Sequence, residues 1–328
     1  MNLISQYIRY LSDIRRYSSR TVEIYDDVLQ RYLCAIHGEG IVSDEEFIAS
    51  LNRSEIRRYE AQLLDSGLSG RTVCQHLSVL SSFCRYLVKT GAISSNPVTL
   101  VTRPKVEKRL PAYFRKQSMD AYFERTSYLL DDDELDFFKF NWNTASGKAM
   151  YDERLARLII SLLYGLGIRR SELIGLQVSN IDFGRNVVKV LGKGDKMREI
   201  PLIASLCKEI SLYLEAVETV CEGKRSLKEP LLITYKGKSL YPAYVDRVVK
   251  SELGDVKGIT GRKSPHVLRH SLATELLNRD ASINSIKELL GHSSLAATQV
   301  YTHTDISRLK NIYESAHPRA KNGGKIGD

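Results

Sequence analysis

A chain of 328 residues with 43% hydrophobic and 27% charged residues holds enough apolar material for two domains with cores of their own. No stretch approaches the roughly 20 apolar residues needed to span a bilayer, and Met1-Asn-Leu-Ile-Ser-Gln lacks the basic-then-apolar order of a secretory signal. These features argue against membrane and secreted classes, and a cytoplasmic location is expected. The net charge of +9 is unevenly spread: residues 1–110 carry 15 Lys+Arg against 12 Asp+Glu, residues 111–152 carry 5 against 8, and residues 153–328 carry 28 against 19. A positive excess of that kind attracts a polyanion. The five cysteines, Cys34, Cys74, Cys84, Cys207 and Cys221, form no Cys-x-x-Cys pair, and most are expected to be buried reduced thiols rather than a disulfide framework.

Taken in chain order, residues 1–100 read as helices. A short amphipathic stretch spans 4–14. A helix is expected over 22–36, after a Ser-Ser-Arg20-Thr21 cap, with Ile24, Val28, Leu29 and Tyr32 at helical spacing. A third covers 54–64 and ends at Asp65-Ser-Gly67. The clearest is 71–89, where Val73, Leu77, Leu80, Phe83 and Leu87 form one apolar stripe. Four such helices make a small bundle. Arg15, Arg16, Arg20, Arg57, Arg58, Arg71 and Arg85 are spread over it, as phosphate contacts or as solvated surface.

Residues 102–111 are polar, basic and bracketed by prolines, and read as a linker. Helices resume after it. Asp131-Asp-Asp-Glu134, within 128–142, fits a solvated helix start or loop better than a metal-binding set. Residues 155–166 form a strongly apolar, buried helix. Residues 186–191 and 198–202 alternate as strands, joined through Gly192-Lys193-Gly194-Asp195-Lys196 as a hairpin. Helices are expected again over 204–221, 241–253, 266–278, 283–290 and 295–300, and a polar tail begins at Lys321.

The residues with chemical potential are concentrated in this second half. Gly165-Leu-Gly-Ile-Arg169 follows the apolar helix, and Ser171-Glu172 suits the opening of another. Lys193 lies at the hairpin tip. His266 and Arg269, three apart on a helix, share a face, and His270 stands one turn from His266. Leu290-Gly-His292 and Tyr301-Thr-His303 complete the set. An arginine grips phosphate oxygens, an imidazole hydrogen-bonds them or moves protons, and a phenol can attack phosphorus. No nearby carboxylate or cysteine completes a zinc set with these histidines, and the Gly-x-x-x-x-Gly-Lys-Ser/Thr phosphate loop is absent.

In this order and at these spacings, the segments resemble the tyrosine recombinases, or phage-type integrases, and among them most closely the bacterial Xer recombinases. The resemblance covers both halves and is strongest over 162–201 and 264–320, including His317-Pro-Arg-Ala320. It implies a mainly α protein: an N-terminal four-helix, SAM-like, DNA-binding bundle over 1–101, a linker over 102–112, a mostly helical catalytic domain with a small β-sheet over 113–320, and a polar tail over 321–328. By the same resemblance Arg169 is the first catalytic arginine, Lys193 the hairpin lysine, and His266 and Arg269 the His-x-x-Arg pair. His292 fills a histidine-or-tryptophan position, Tyr301 is the nucleophile, and Glu172 supports the site.

Arg20, Arg71 and Arg85 are the candidate DNA contacts of the bundle. The implied partners are double-stranded DNA and a homo- or hetero-tetramer assembled on it, with or without a second recombinase; no metal, cofactor, membrane or small-molecule substrate is implied. Residues 306–316, with Leu309, Ile312 and Tyr313 on one face, are either a segment that docks on a neighbour or a helix packed on its own domain. The resemblance leaves three roles in view: resolution of chromosome or plasmid dimers, integration or inversion for a mobile element, and DNA binding without catalysis. Residues 123–152 are longer than the Xer pattern requires, a departure that leaves a transposon integrase or an invertase open.

Overall fold

The computed structural model describes residues 3–38, 40, 42–106, 113–192, 196–259, 261–279 and 281–291. It divides into two compact units, Met1–Arg109 and Leu110–Asp328.

In the first unit, helix α1 (Leu3–Arg9) runs into a π-type segment at Tyr10–Ile14. Helices α2 (Ser19–His37), α3 (Asp44–Ser50), α4 (Arg53–Asp65) and α5 (Gly70–Thr90) follow. Each of these four starts on a side chain that accepts a backbone N–H of the first turn: Ser18, Ser43, Asn52 and Ser69. Ser43 and Glu46 complete a reciprocal capping box. Glycines Gly38 and Gly91, both at positive φ, end α2 and α5.

The stripe read in α5 is the spine of the core: Val73, Leu77, Leu80, Phe83 and Leu87 are all fully buried. They meet Val28, Leu29 and Tyr32 of α2, Phe47 of α3 and Ile56 and Tyr59 of α4. Burying each large side chain is worth about 1.5–3 kcal/mol, which offsets the chain entropy that ordering the bundle costs. Two buried tyrosines place their hydroxyls on partners: that of Tyr32 donates to the Ser50 carbonyl at 2.8 Å, and that of Tyr59 lies 2.8 Å from His76 Nδ1. The first residues of the segment read as a linker lie along α5, where Arg103 Nη1 donates to Ser78 Oγ at 2.9 Å.

The second unit is built around one long helix. Helices α6 (Lys116–Arg125) and α7 (Asp132–Asn141) precede α8 (Ala145–Leu166), which is buried continuously from Arg154 to its end. After α9 (Arg170–Ile174) come strands β1 (Ile181–Asp182), β2 (Val187–Leu191) and β3 (Met197–Pro201), paired antiparallel in that order. Helices α10 (Ala204–Val220), α11 (Pro242–Glu252), α12 (Pro265–Leu277) and α13 (Ile283–Leu290) complete the described part. Helix α8 packs against α7, α10, α11 and α12, which is why it is apolar nearly all round.

Two buried arginines interrupt its apolar pattern. Arg157 Nη1 donates to the Phe123 carbonyl at 3.1 Å and to Thr126, and its Nε lies 3.4 Å from Glu209 of α10. Arg154 donates to the Leu129 carbonyl. The connection between α6 and α7 is thereby tied to α8, so residues 123–152 form packed helices rather than a long loop.

Several expectations change. Helix α3 and strand β1 are additions to the sequence reading, and α8 begins ten residues before its apolar window. Of the cysteines only Cys84 is buried; Cys34 and Cys221 are exposed and Cys74 and Cys207 lie between, because Cys34, Cys74 and Cys207 fall beside their helices' apolar stripes and Cys221 follows the end of α10. Burial pushes the Cys84 thiol up to about 12. Asp132, Asp133 and Glu134 occupy the first turn of α7, where the helix dipole favours them. The helix expected over 295–300 and the segment 306–316 lie outside the described residues. Among the described residues, no helix is long and apolar enough to cross a membrane.

Candidate active site

The site begins where α8 ends. Gly167 takes φ +60, and a Cβ there would sit 2.6 Å from a methyl of Leu290 and 2.9 Å from one of Leu272. Only glycine permits both this conformation and this approach. The turn buries Ile168 and leaves Arg169 extended, as the residue that caps α9. Glu172 occupies the third position of that helix and accepts the Arg169 backbone N–H at 2.8 Å. It also accepts from the Arg169 side chain, Nη1 to Oε1, at 2.7 Å.

Arg269 reaches the same place from α12. Its Nη1 donates to the Gly167 carbonyl at 2.6 Å and its Nη2 to the Leu290 carbonyl. Arg169 Nη2 donates to the next carbonyl, Gly291, at 3.1 Å. A third guanidinium, Arg198 of β3, donates through Nε to the Leu289 carbonyl at 3.1 Å. Its two terminal nitrogens grip Glu172 in a fork, at 3.1 and 2.7 Å. Three arginines from three different elements therefore hold three consecutive carbonyls at the C-terminal end of α13. That end carries the partial negative charge of the helix dipole, which suits cations.

The cluster of Arg169, Arg198 and Arg269 (+3) with Glu172 (−1) carries a formal charge of +2. It is partly open. The Arg169 side chain is 31% exposed, whereas those of Glu172 and Arg198 are 4% and 6%. Burial and then the neighbouring Arg169 charge pull Arg269 down to about 10, which leaves it protonated at neutral pH. Burial alone would push the Glu172 carboxyl up. The Arg198 fork and the Arg169 N–H outweigh it and hold Glu172 below the usual carboxylate range. A guanidinium has five N–H groups, and the described bonds of Arg169 and Arg269 use two on each. The rest can take oxygens of a phosphate in the open part of the site.

His266 stands exposed in the first turn of α12, one turn before the buried Arg269. The sequence reading thus finds Arg169, Glu172, His266 and Arg269 on elements that meet. Lys193, His292 and Tyr301 lie outside the described residues. The described neighbours of Lys193 and His292 adjoin the cluster: Gly192 closes the base of the hairpin through its N–H to the Lys196 carbonyl at 2.8 Å, and Gly291 ends α13 at φ +64.

In the first unit, Arg20, Arg71 and Arg85 are all exposed, and Arg20 pairs with Glu23 at 3.1 Å. Arg71 and Arg85 point from nearly one side of α5, about 21 Å apart along its axis. The residue that sequence reasoning missed is Arg198. Its signal was an arginine at an inward position of the alternating strand β3, where an inward charge requires a buried partner.

Comparison with known proteins agrees with this geometry. The family described as "Phage integrase family" matches residues 141–308, and "Phage integrase, N-terminal SAM-like domain" matches residues 4–91. The chain belongs to the phage integrase family, whose members are the tyrosine recombinases, and it is an enzyme that breaks and rejoins DNA strands. Among its curated relatives, it is 32% identical to the tyrosine recombinase XerC of Chlorobaculum parvum, over 97% of this chain and 94% of that protein. It is 34% identical to XerC of Methylobacterium nodulans, over 97% and 93%. The fold matches that of the Tn1549 transposon integrase bound to transposon right-end DNA, with a TM-score of 0.63 and 17% identity over 98% of each chain. It also matches a lambda integrase tetramer bound to a Holliday junction, with a TM-score of 0.57 and 18% identity over 91% of this chain and 79% of that one.

Proposed function

We propose that Tyr301 cuts DNA by attacking a backbone phosphodiester held by Arg169 and Arg269. The phenolic oxygen bonds to phosphorus, the bond to the 5′ oxygen breaks, and the product is a 3′-phosphotyrosyl link with a free 5′ hydroxyl. A 5′ hydroxyl from a second duplex reverses the step and joins the new strand. One ester replaces another each time, so no ATP is consumed. A phenol with a pKa near 10 needs its proton removed, and His266 is the base; Lys193 protonates the departing oxygen. The two guanidiniums and His292 stabilise the charge that builds on the non-bridging oxygens, the work that metal ions do in other nucleases. Glu172 holds Arg169 in place.

The observation that carries this reading is the convergence of Arg169, Arg269 and Glu172 on the end of α13, the helix whose chain leads directly to His292 and then Tyr301. Residues 1–101 serve as the DNA-binding domain, with Arg20, Arg71 and Arg85 on phosphates, and residues 113–320 as the catalytic domain. The protein works in the cytoplasm on double-stranded DNA as a tetramer of its own copies or with a second recombinase. Its similarity to XerC proteins over nearly the whole chain favours resolution of chromosome or plasmid dimers, and with it chromosome partition at cell division, over integration or inversion.

The test is incubation with a nicked suicide substrate carrying repeats from the neighbouring genome, in a chelator. Wild-type chain yields a covalent protein–DNA adduct and Tyr301→Phe yields none. An adduct of equal yield in Tyr301→Phe contradicts the assignment.

A further inference from the structure

Arg198 is a buried charge within the site that the proposed chemistry leaves without a task. It sits at an inward position of β3, with its side chain 6% exposed, and it shares Glu172 with Arg169. A buried ion pair is weak evidence for stability, since well-packed apolar residues of the same volume do as well or better. Orientation is the property such a pair does supply, and the contacts of Arg198 are suited to it. Its fork holds both carboxylate oxygens of Glu172. One of those oxygens, Oε1, is the acceptor for Arg169 Nη1, and the other accepts the Arg169 backbone N–H.

The same guanidinium lies between two glycines. A Cβ on Gly192 would stand 3.3 Å from Arg198 Nη1, and one on Gly291 would stand 3.1 Å from that atom and 3.2 Å from Cζ. Gly192 immediately precedes Lys193, and Gly291 immediately precedes His292. One side chain therefore touches the backbone where two of the proposed catalytic residues begin and fixes the carboxylate that aims a third.

We infer that Arg198 is a positioning residue for strand cleavage: it orients Arg169 through Glu172 and fixes the chain at Gly192 and Gly291. This rests on the site reading given under Proposed function. Arg198 sets the geometry of the reacting groups without touching the DNA, so its loss slows cleavage while leaving affinity in place. Lysine at this position has a single ammonium. It can satisfy one oxygen but not a two-oxygen fork and the Leu289 carbonyl together.

The experiment is single-turnover cleavage of the nicked substrate at saturating protein, with DNA affinity measured separately and rates expressed per folded molecule. Arg198→Met is expected to cleave about 100-fold more slowly, the loss that a misplacement of about 1 Å brings. Its Kd for the site stays within roughly threefold, since uniform binding is untouched. Arg198→Lys, which keeps the charge and the fold, is expected to be slowed about tenfold. The double variant Arg198→Met with Glu172→Gln is expected to be no slower than the slower single variant, because both act through one contact. Wild-type cleavage rates in Arg198→Met and Arg198→Lys overturn the inference, and so do losses that multiply in the double variant. A wild-type chain that forms no Tyr301-dependent adduct overturns the site reading and the inference together. A wild-type chain that cleaves no faster than its Arg198 variants overturns the inference alone.

Discussion

At the scale of single residues, Glu172 organises the site, because Arg169 and Arg198 share its carboxylate. Removing its charge leaves buried guanidiniums uncompensated. Glu172→Gln is expected to lower the unfolding free energy by about 3 kcal/mol at neutral pH, measured by urea titration. The pH dependence has a definite sign. Glu172 has a folded pKa below its unfolded one, so its contribution is complete above the unfolded value of about 4.3 and is lost as pH falls through the lower folded value. The stability gap between wild type and Glu172→Gln is therefore constant from about pH 8 to pH 5 and shrinks only below about pH 4. A gap that shrank near pH 6 would contradict the described hydrogen bonds. Arg269 remains charged throughout this range, since its lowered value of about 10 is well above it.

At the scale of elements, close approaches decide where helices end. Gly147 lies in the first turn of α8, where a Cβ would meet the Asn141 carbonyl oxygen at 2.1 Å and the Trp142 Cα at 2.7 Å. Alanine normally favours a helix over glycine by about 1 kcal/mol. Here Gly147→Ala is expected to lower Tm by at least about 4 °C in calorimetry, because a backbone must move to admit the methyl. An unchanged or raised Tm would show that α7 and α8 do not meet so closely. Much of this architecture was legible in sequence. The α5 stripe, the β2–β3 hairpin and α13 followed from hydrophobic period and turn chemistry, which are local signals. Helix α3 was not, because its seven residues bury only Phe47 and Ser50 and leave no period to detect. The start of α8 was hidden because Arg154, buried against the Leu129 carbonyl, reads with Lys148, Asp152 and Glu153 as a polar stretch. Arg198 was hidden for the same reason at longer range: its partners Glu172 and Leu289 lie 26 residues before and 91 residues after it. Motif spacing found Arg169 and Arg269, but only the folded chain shows that they converge on the carbonyls before His292.

At the scale of the whole molecule, the charge of +9 and the clustered guanidiniums make phosphate contact the main source of affinity. Affinity for the DNA site is expected to fall about a thousandfold or more between 50 and 200 mM salt, measured by fluorescence anisotropy. A nearly flat salt response would mean that the basic residues are not on the DNA. The central claim concerns one bond, and mass spectrometry of the trapped adduct tests it most directly. Trypsin releases residues 288–308 as a peptide whose only tyrosine is Tyr301. The account predicts that this peptide, and no other, carries the nucleotide, through Tyr301 and a 3′-phosphate. DNA on a different peptide, or joined through a 5′-phosphate, would contradict it.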